Sequence, residues 1–262
     1  MQKDNIKKTV YYLTVIIGWG ILAWMASQYV MAFLMDWILG EKFGEPFWVM
    51  IYYILSYSAT LSLLILGLPR LVNWYEQHRQ KKSGSEQRTA YLGQTNDFST
   101  NLDEMGLKEW PSFIDIGLVP IGYIIYILVS NFVSNLLSNF SWFDADQAQD
   151  VGFGSFIADN NRIWAVLAIV FIAPIAEEIF MRGWFYGKVR SKVSALAAIL
   201  IVSIVFGMMH GQWNAGVATF VLSLVLCGMR EITGTIWSGM LLHMLSNGIA
   251  FYLLYIVNFG VL

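Results

Sequence analysis

The chain alternates long apolar runs with short polar breaks, and most of the runs have the length that crosses a bilayer, roughly 20 residues. About seven such runs are legible: Val10–Leu34, Phe47–Leu68, Ile114–Leu137, Ile163–Phe185, Val193–Met209, Ala215–Met229 and Thr235–Val257. The first, second and last are the clearest. The fifth and sixth are short and separated only by "HGQWN", which predicts a tight helical hairpin or partly re-entrant segments. The pattern predicts an all-α, polytopic transmembrane helical bundle of about seven spans.

The polar breaks orient the bundle. Lys3, Lys7 and Lys8 precede the first run, and Arg70, Arg79, Lys81, Lys82, Arg88 and Lys108 follow the second. Lys188, Arg190 and Lys192 follow the fourth. "SWFDADQAQD" carries Asp144, Asp146 and Asp150 without a basic residue, and the terminal "NFGVL" has no charged side chain. Lysine and arginine accumulate on the cytoplasmic side, so the expected topology is N-in and C-out. The first apolar run exceeds the ~7–15 residues of a signal-peptide core and reads as an uncleaved span. Three regions are expected: a two-span part at 1–68, a polar cytoplasmic linker at 69–112 holding His78, and a membrane core at 113–262.

Composition narrows the class. With 57% hydrophobic and 13% charged residues over 262 positions, the chain is too apolar for a soluble domain and is expected to be an integral membrane protein surrounded by lipid. A net charge of -2 without a long basic tract gives no support for nucleic-acid binding. One cysteine, Cys227, permits no internal disulfide and reads as a packing residue. No internal repeat is evident, which counts against transporter architectures built from repeats.

Against this background the charged and polar residues inside the spans stand out, because each costs a few kcal/mol at bilayer depth and marks a protected or functional environment. Glu177, Glu178 and Arg182 lie in the fourth run, where Glu178 and Arg182 are helical neighbours able to pair and Glu177 is turned about 100° away. Phe206 precedes His210 by four positions at the end of the fifth run. His243 and Asn247 share one face of the last. Each group alone has a plain structural explanation: an ion pair, a packed histidine, a polar helix contact. Their concentration in one half of the chain is the signal. By depth, Glu177 lies about 16 Å in from Lys188 and His243 about 14 Å in from Gly234, whereas His210 comes out at about 27 Å from Lys192. Reaching one pocket therefore requires a tilted helix, or a chain between Gly183 and Val193 that dips into the membrane.

E-E-x-x-x-R, then F-x-x-x-H, then H-x-x-x-N, in this order on successive spans, resembles the CPBP family. These are CAAX proteases and bacteriocin-processing enzymes, also called Abi or CAAX prenyl protease type II-like proteins. The resemblance covers about Ile163 to Ala250. It implies an intramembrane endopeptidase of a bacterial cell membrane, acting on a prenylated CAAX-like peptide or a small bacteriocin- or pheromone-like peptide. By the same resemblance Glu177 with His210 activates water, and His243 with Asn247 hydrogen-bonds the developing oxyanion. Glu178 and Arg182 hold the first motif, and Phe206 shapes the pocket. Elementary chemistry agrees with that division, since preorganised donors act more strongly in a dry site than in water.

Two histidines and a glutamate also supply the donors of a three-ligand zinc site. The His-Glu-x-x-His helix of zinc proteases is absent and Asn247 suits an oxyanion better than zinc, so a glutamate-type mechanism without a cofactor or metal is preferred. Two other classes stay open: a non-enzymatic scaffold or bacteriocin-immunity protein acting by binding, and a proton-coupled transporter using Glu177 and His243 as a relay.

Overall fold

In the computed structural model, which describes residues 2–83, 98–145, 147 and 162–257, every regular element is helical. Helix α1 (Gln2–Leu39) runs through a short 3-10 turn (Gly40–Gly44) into α2 (Pro46–Ser62), which continues through Leu63–Gly67 into α3 (Leu68–Ser83). After α4 (Phe113–Leu137) comes one long interrupted helix made of α5 (Arg162–Val166), α6 (Ala173–Glu178) and α7 (Tyr186–Arg190). The bundle closes with α8 (Ala195–Met208), α9 (Trp213–Thr233) and α10 (Trp237–Tyr255).

Among the described residues, five helices have the length and apolarity to cross a membrane: Ile6–Gly44, Pro46–Tyr75, Phe113–Leu137, Arg162–Arg190 and Trp213–Thr233. Of the other two expected spans, Ala195–Met208 is apolar but has only 14 residues. Trp237–Tyr255 has 19, its apolarity diluted by His243, Ser246 and Asn247. Outward-facing Tyr29, Phe33, Phe113, Ile114, Leu128 and Phe132 are well exposed, the surface of a protein solvated by lipid. Arg88, Asp146 and Asp150 and the terminal 258–262, used above for orientation, lie outside the described residues.

Three stretches widen from α to π geometry: Leu63–Gly67, Leu167–Ile172 and Ile179–Phe185. The first two have a local cause. Pro69 and Pro174 lack the N–H that would bond four residues back, and their rings press on the carbonyls of Ile65 and Val170. A carbonyl of each of these two segments is met from another helix: the Trp19 indole donates to Leu63 O at 3.0 Å, and Asn247 donates to Ile169 O at 3.0 Å.

The described parts of the stretch 69–112, which was expected as a linker, make specific contacts with the bundle. The stretch begins as the helix α3, and Phe98 and Met105 are buried in the same cluster as Tyr12, Trp184, Phe185 and Phe206. A strap from Phe98 to Trp110 is stitched to the bundle. Ile236 N–H donates to Gly106 O at 3.2 Å, and the Trp237 indole to Glu109 O at 2.6 Å. Buried Lys188 donates to Ser99 O and pairs with Glu104 at 3.3 Å. Two apolar anchors and three polar ties fix a segment whose average composition reads as linker.

Helices α8 and α9 meet through glycines. A Cβ on Gly207 would stand 2.7 Å from Gly216 O, so the backbones touch where any side chain would force them apart. Gly207→Ala is expected to destabilise the protein by about 1–3 kcal/mol, read as an earlier thermal unfolding transition in detergent. An unchanged transition would mean that this contact is looser than described.

Candidate active site

The catalytic candidates sit where the interrupted helix crosses α2, α8 and α10. Glu177 and Glu178 close α6, just before the π-helical Ile179–Phe185 that carries Arg182. A π segment shifts side-chain directions relative to an α-helix and recurs at functional sites. Here it leaves the i,i+4 pair intact: Arg182 Nη1 donates to Glu178 Oε1 at 2.8 Å, with both side chains fully buried. The rest of the guanidinium lies over the Phe206 ring, 4.5 Å from its centroid.

His243, on α10 and almost fully buried, lies between the two carboxylates. Its Nδ1 is 3.0 Å from Glu178 Oε1, and its Nε2 is 3.8 Å from Glu177 Oε2, an ion-pair distance longer than a hydrogen bond. An ionised carboxylate can only accept, so Nδ1 carries a proton and donates to Glu178, which leaves Nε2 to face Glu177. Gly239, one turn before His243, makes this approach possible: a Cβ there would lie 3.1 Å from Glu178 Oε2.

Glu177 is the more accessible carboxylate, its side chain 18% exposed. Its partner comes from an unexpected helix. The Tyr57 hydroxyl on α2 donates to Glu177 Oε1 at 2.6 Å across the bundle, leaving Oε2 on the His243 side. Tyr57 is a site residue that sequence reasoning missed. Nothing distinguishes it in "WVMIYYILSYSA", where tyrosines read as interfacial belt residues.

His210 follows α8, and Phe206 joins it to the rest. The Phe206 ring is edge-on to His210, with centroids 4.9 Å apart, and edge-on to His243 at 5.8 Å. The two imidazoles thus flank one phenyl ring. His210 Nδ1 donates to Phe206 O at 2.9 Å, the carbonyl fixing the tautomer so that Nε2 keeps its lone pair. The expected mismatch of depth is resolved by the helix ends. The long helix extends to Arg190 and α8 starts only at Ala195, so Glu177 and His210 lie about 20 and 22 Å from their own ends of the connecting turn.

Asn247 shares the His243 helix, but its amide donates to Ile169 O in the upstream π segment, and its second N–H is left over. No hydrogen bond among the described residues joins His210 or Asn247 to Glu177. The structure therefore links Tyr57, Glu177, His243, Glu178, Arg182 and Phe206 in one chain of contacts, with His210 joined to it through Phe206 and Asn247 bonded elsewhere. Among the described residues no three His, Cys, Asp or Glu side chains cluster as a metal site requires. Cys227, expected as packing, is buried.

Comparison with known proteins bears on the same half of the chain. No curated protein and no solved structure shows significant similarity to it. Residues 159–249 match the family model described as type II CAAX prenyl endopeptidase Rce1-like, a match that contains all three sequence motifs and leaves Tyr57 outside. Over residues 159–249 this helical membrane protein is thus similar to a family of proteases, the Rce1-like type II CAAX prenyl endopeptidases.

Proposed function

We propose that this protein is a glutamate-type intramembrane endopeptidase that hydrolyses a peptide bond in a membrane-associated peptide. The observation that carries the reading is the setting of Glu177: a partly accessible carboxylate held by Tyr57 on one oxygen and facing His243 with the other. Beside it, Glu178 is committed to Arg182 and His243.

In this reading Glu177 takes a proton from water as the water oxygen bonds to the scissile carbonyl carbon, and the carbonyl π pair moves onto oxygen. His210 Nε2, with its lone pair, helps to orient that water. The second N–H of Asn247, joined by His243 when its Nε2 also carries a proton, donates to the developing oxyanion. The oxyanion then collapses, the C–N bond breaks, and the proton held by Glu177 passes to the departing amine. Glu178, paired with Arg182, holds the His243 ring, and Phe206 separates the two imidazoles. No step in this reading uses a metal. The substrate class follows the family: a peptide carrying a prenylated CAAX-like terminus, in the bilayer of a bacterial cell, with the basic end of the long helix in the cytoplasm.

The test is mass spectrometry of prenylated and unmodified membrane peptides incubated with purified protein, with wild type beside Glu177→Ala and with and without a chelator. Cleavage by wild type that survives chelation and disappears in Glu177→Ala is the expected result. Equal cleavage by both proteins, or loss of cleavage with chelator alone, overturns the mechanism.

Tyr57→Phe isolates the hydroxyl. A hydrogen bond to a carboxylate contributes about 1.5–3 kcal/mol, so kcat is expected to fall about tenfold or more with KM little changed. A variant with wild-type kcat would show that Tyr57 does not position Glu177.

A further inference from the structure

Away from the candidate active site, at the end of the bundle marked by Lys188, Arg190 and Lys192, the structure holds a pocket of about 640 Å³. Its walls come from α7 and the turn after it, the last turn of α9, and Glu104 of the strap. Four cations line it, Lys188, Arg190, Lys192 and Arg230, against two carboxylates, Glu104 and Glu231.

The carboxylates are already engaged. Glu231 Oε1 accepts from Arg190 Nε at 3.0 Å and from the Tyr186 hydroxyl at 2.8 Å. Glu104 pairs with Lys188, which is only 6% exposed. Among the described residues Arg230 makes no direct ion pair, although Glu231 is near enough to act on it electrostatically. Its guanidinium is laid against Gly106, where a Cβ would come within 2.3 Å of Nη1, and a single hydrogen bond runs from Nη2 to the backbone oxygen of Glu104 at 2.9 Å. Its Nε is buried without a partner. Gly106 adopts a left-handed φ of 69°, so the strap is shaped to let the guanidinium lie flat there. Among the described residues, a partly buried guanidinium with an unmet N–H at the wall of this pocket calls for an anion with several acceptor oxygens.

We propose that this pocket binds a phosphate ester, the headgroup of an anionic phospholipid. Two features favour a lipid source. The pocket lies where the spans Arg162–Arg190 and Trp213–Thr233 both end, the level at which lipid phosphates lie. Apolar side chains continue outward from it: Ile232, next to Glu231, and Leu196, four positions after Lys192, are both strongly exposed, a surface for acyl chains. The volume exceeds that of one phosphate and accommodates the glycerol attached to it.

The test is thermal unfolding of the full chain in detergent with added phosphatidylglycerol, phosphatidylcholine or inorganic phosphate, at constant ionic strength. Phosphatidylglycerol is expected to raise the transition temperature by several degrees over phosphatidylcholine, and this increment is expected to be lost in Arg230→Gln. Where Arg230→Gln fails to fold, Lys192→Gln at the pocket rim is expected to at least halve it. Stabilisation by inorganic phosphate and not by phosphatidylglycerol assigns the pocket to a soluble anion and overturns the lipid source. An equal response to both lipids, or a full phosphatidylglycerol response in both variants, overturns the site. None of these readouts depends on peptidase activity, so the proposal stands or falls apart from the proposed function.

Discussion

Glu177→Ala is expected to lower the rate of peptide hydrolysis by about 10²–10⁴-fold, the span associated with losing a positioned general base. Its effect on the fold is expected to be small. Glu177 contributes one hydrogen bond, from Tyr57, and is the more accessible of the two carboxylates, so truncation should cost at most the about 1.5–3 kcal/mol of that bond, modest beside the loss of rate. The two readouts must therefore separate: product formation collapses while the thermal transition and the elution profile stay near wild type. Glu177→Gln sharpens the result, because it keeps shape and size and can still accept from Tyr57 but cannot take a proton. If binding alone accounts for the protein's effect in cells, both variants retain that effect, and the peptidase reading fails. If the role is hydrolytic, the effect goes with the product.

Much of this site is legible from local spacing. Glu178 and Arg182 stand four positions apart on one helix, and the structure pairs them at 2.8 Å even across the onset of a π segment. Spacing reveals which side chains share a face but not what that face meets. His243 and Asn247 point the same way along α10, yet one reaches Glu178 and the other reaches Ile169 O, because the helix opposite changes geometry between those two levels. Pro174 is the visible sign of that change, and only packing reveals where the loosened carbonyl finds a donor. Tyr57 was out of reach for a different reason. It lies 120 positions from Glu177, and a tyrosine in an aromatic-rich span has no local mark that separates a hydrogen-bond donor from a lipid-facing ring. The strap shows the limit of composition. Its polar average hides Phe98 and Met105, which are enough to seat it against the core. Composition is a blunt measure of α10 for a related reason, since the polar residues that form the site are the ones that lower its apolarity.

Arg182→Met is expected to be the most destabilising single substitution at this site, by roughly 3–5 kcal/mol, because it strands the fully buried Glu178 carboxylate beside a histidine. The wild-type pair is not an efficient stabiliser. Glu178 Oε2, Arg182 Nε and Arg182 Nη2 are all buried without hydrogen-bond partners among the described residues, and the guanidinium is offset only by the Phe206 ring. A pair with three unmet polar atoms recovers little of its desolvation, so removing both charges should cost far less than removing one. Glu178→Leu combined with Arg182→Met is therefore expected to regain most of the stability lost in Arg182→Met, a strong coupling in a double-mutant cycle followed by thermal unfolding. Activity should not return with it. The double variant leaves His243 Nδ1 without its acceptor and frees the ring from its orientation toward Glu177, so it should fold well and hydrolyse poorly. A double variant as unstable as Arg182→Met would show that the charges stabilise this bundle. One that hydrolyses peptide at the wild-type rate would show that Glu178 does not orient His243.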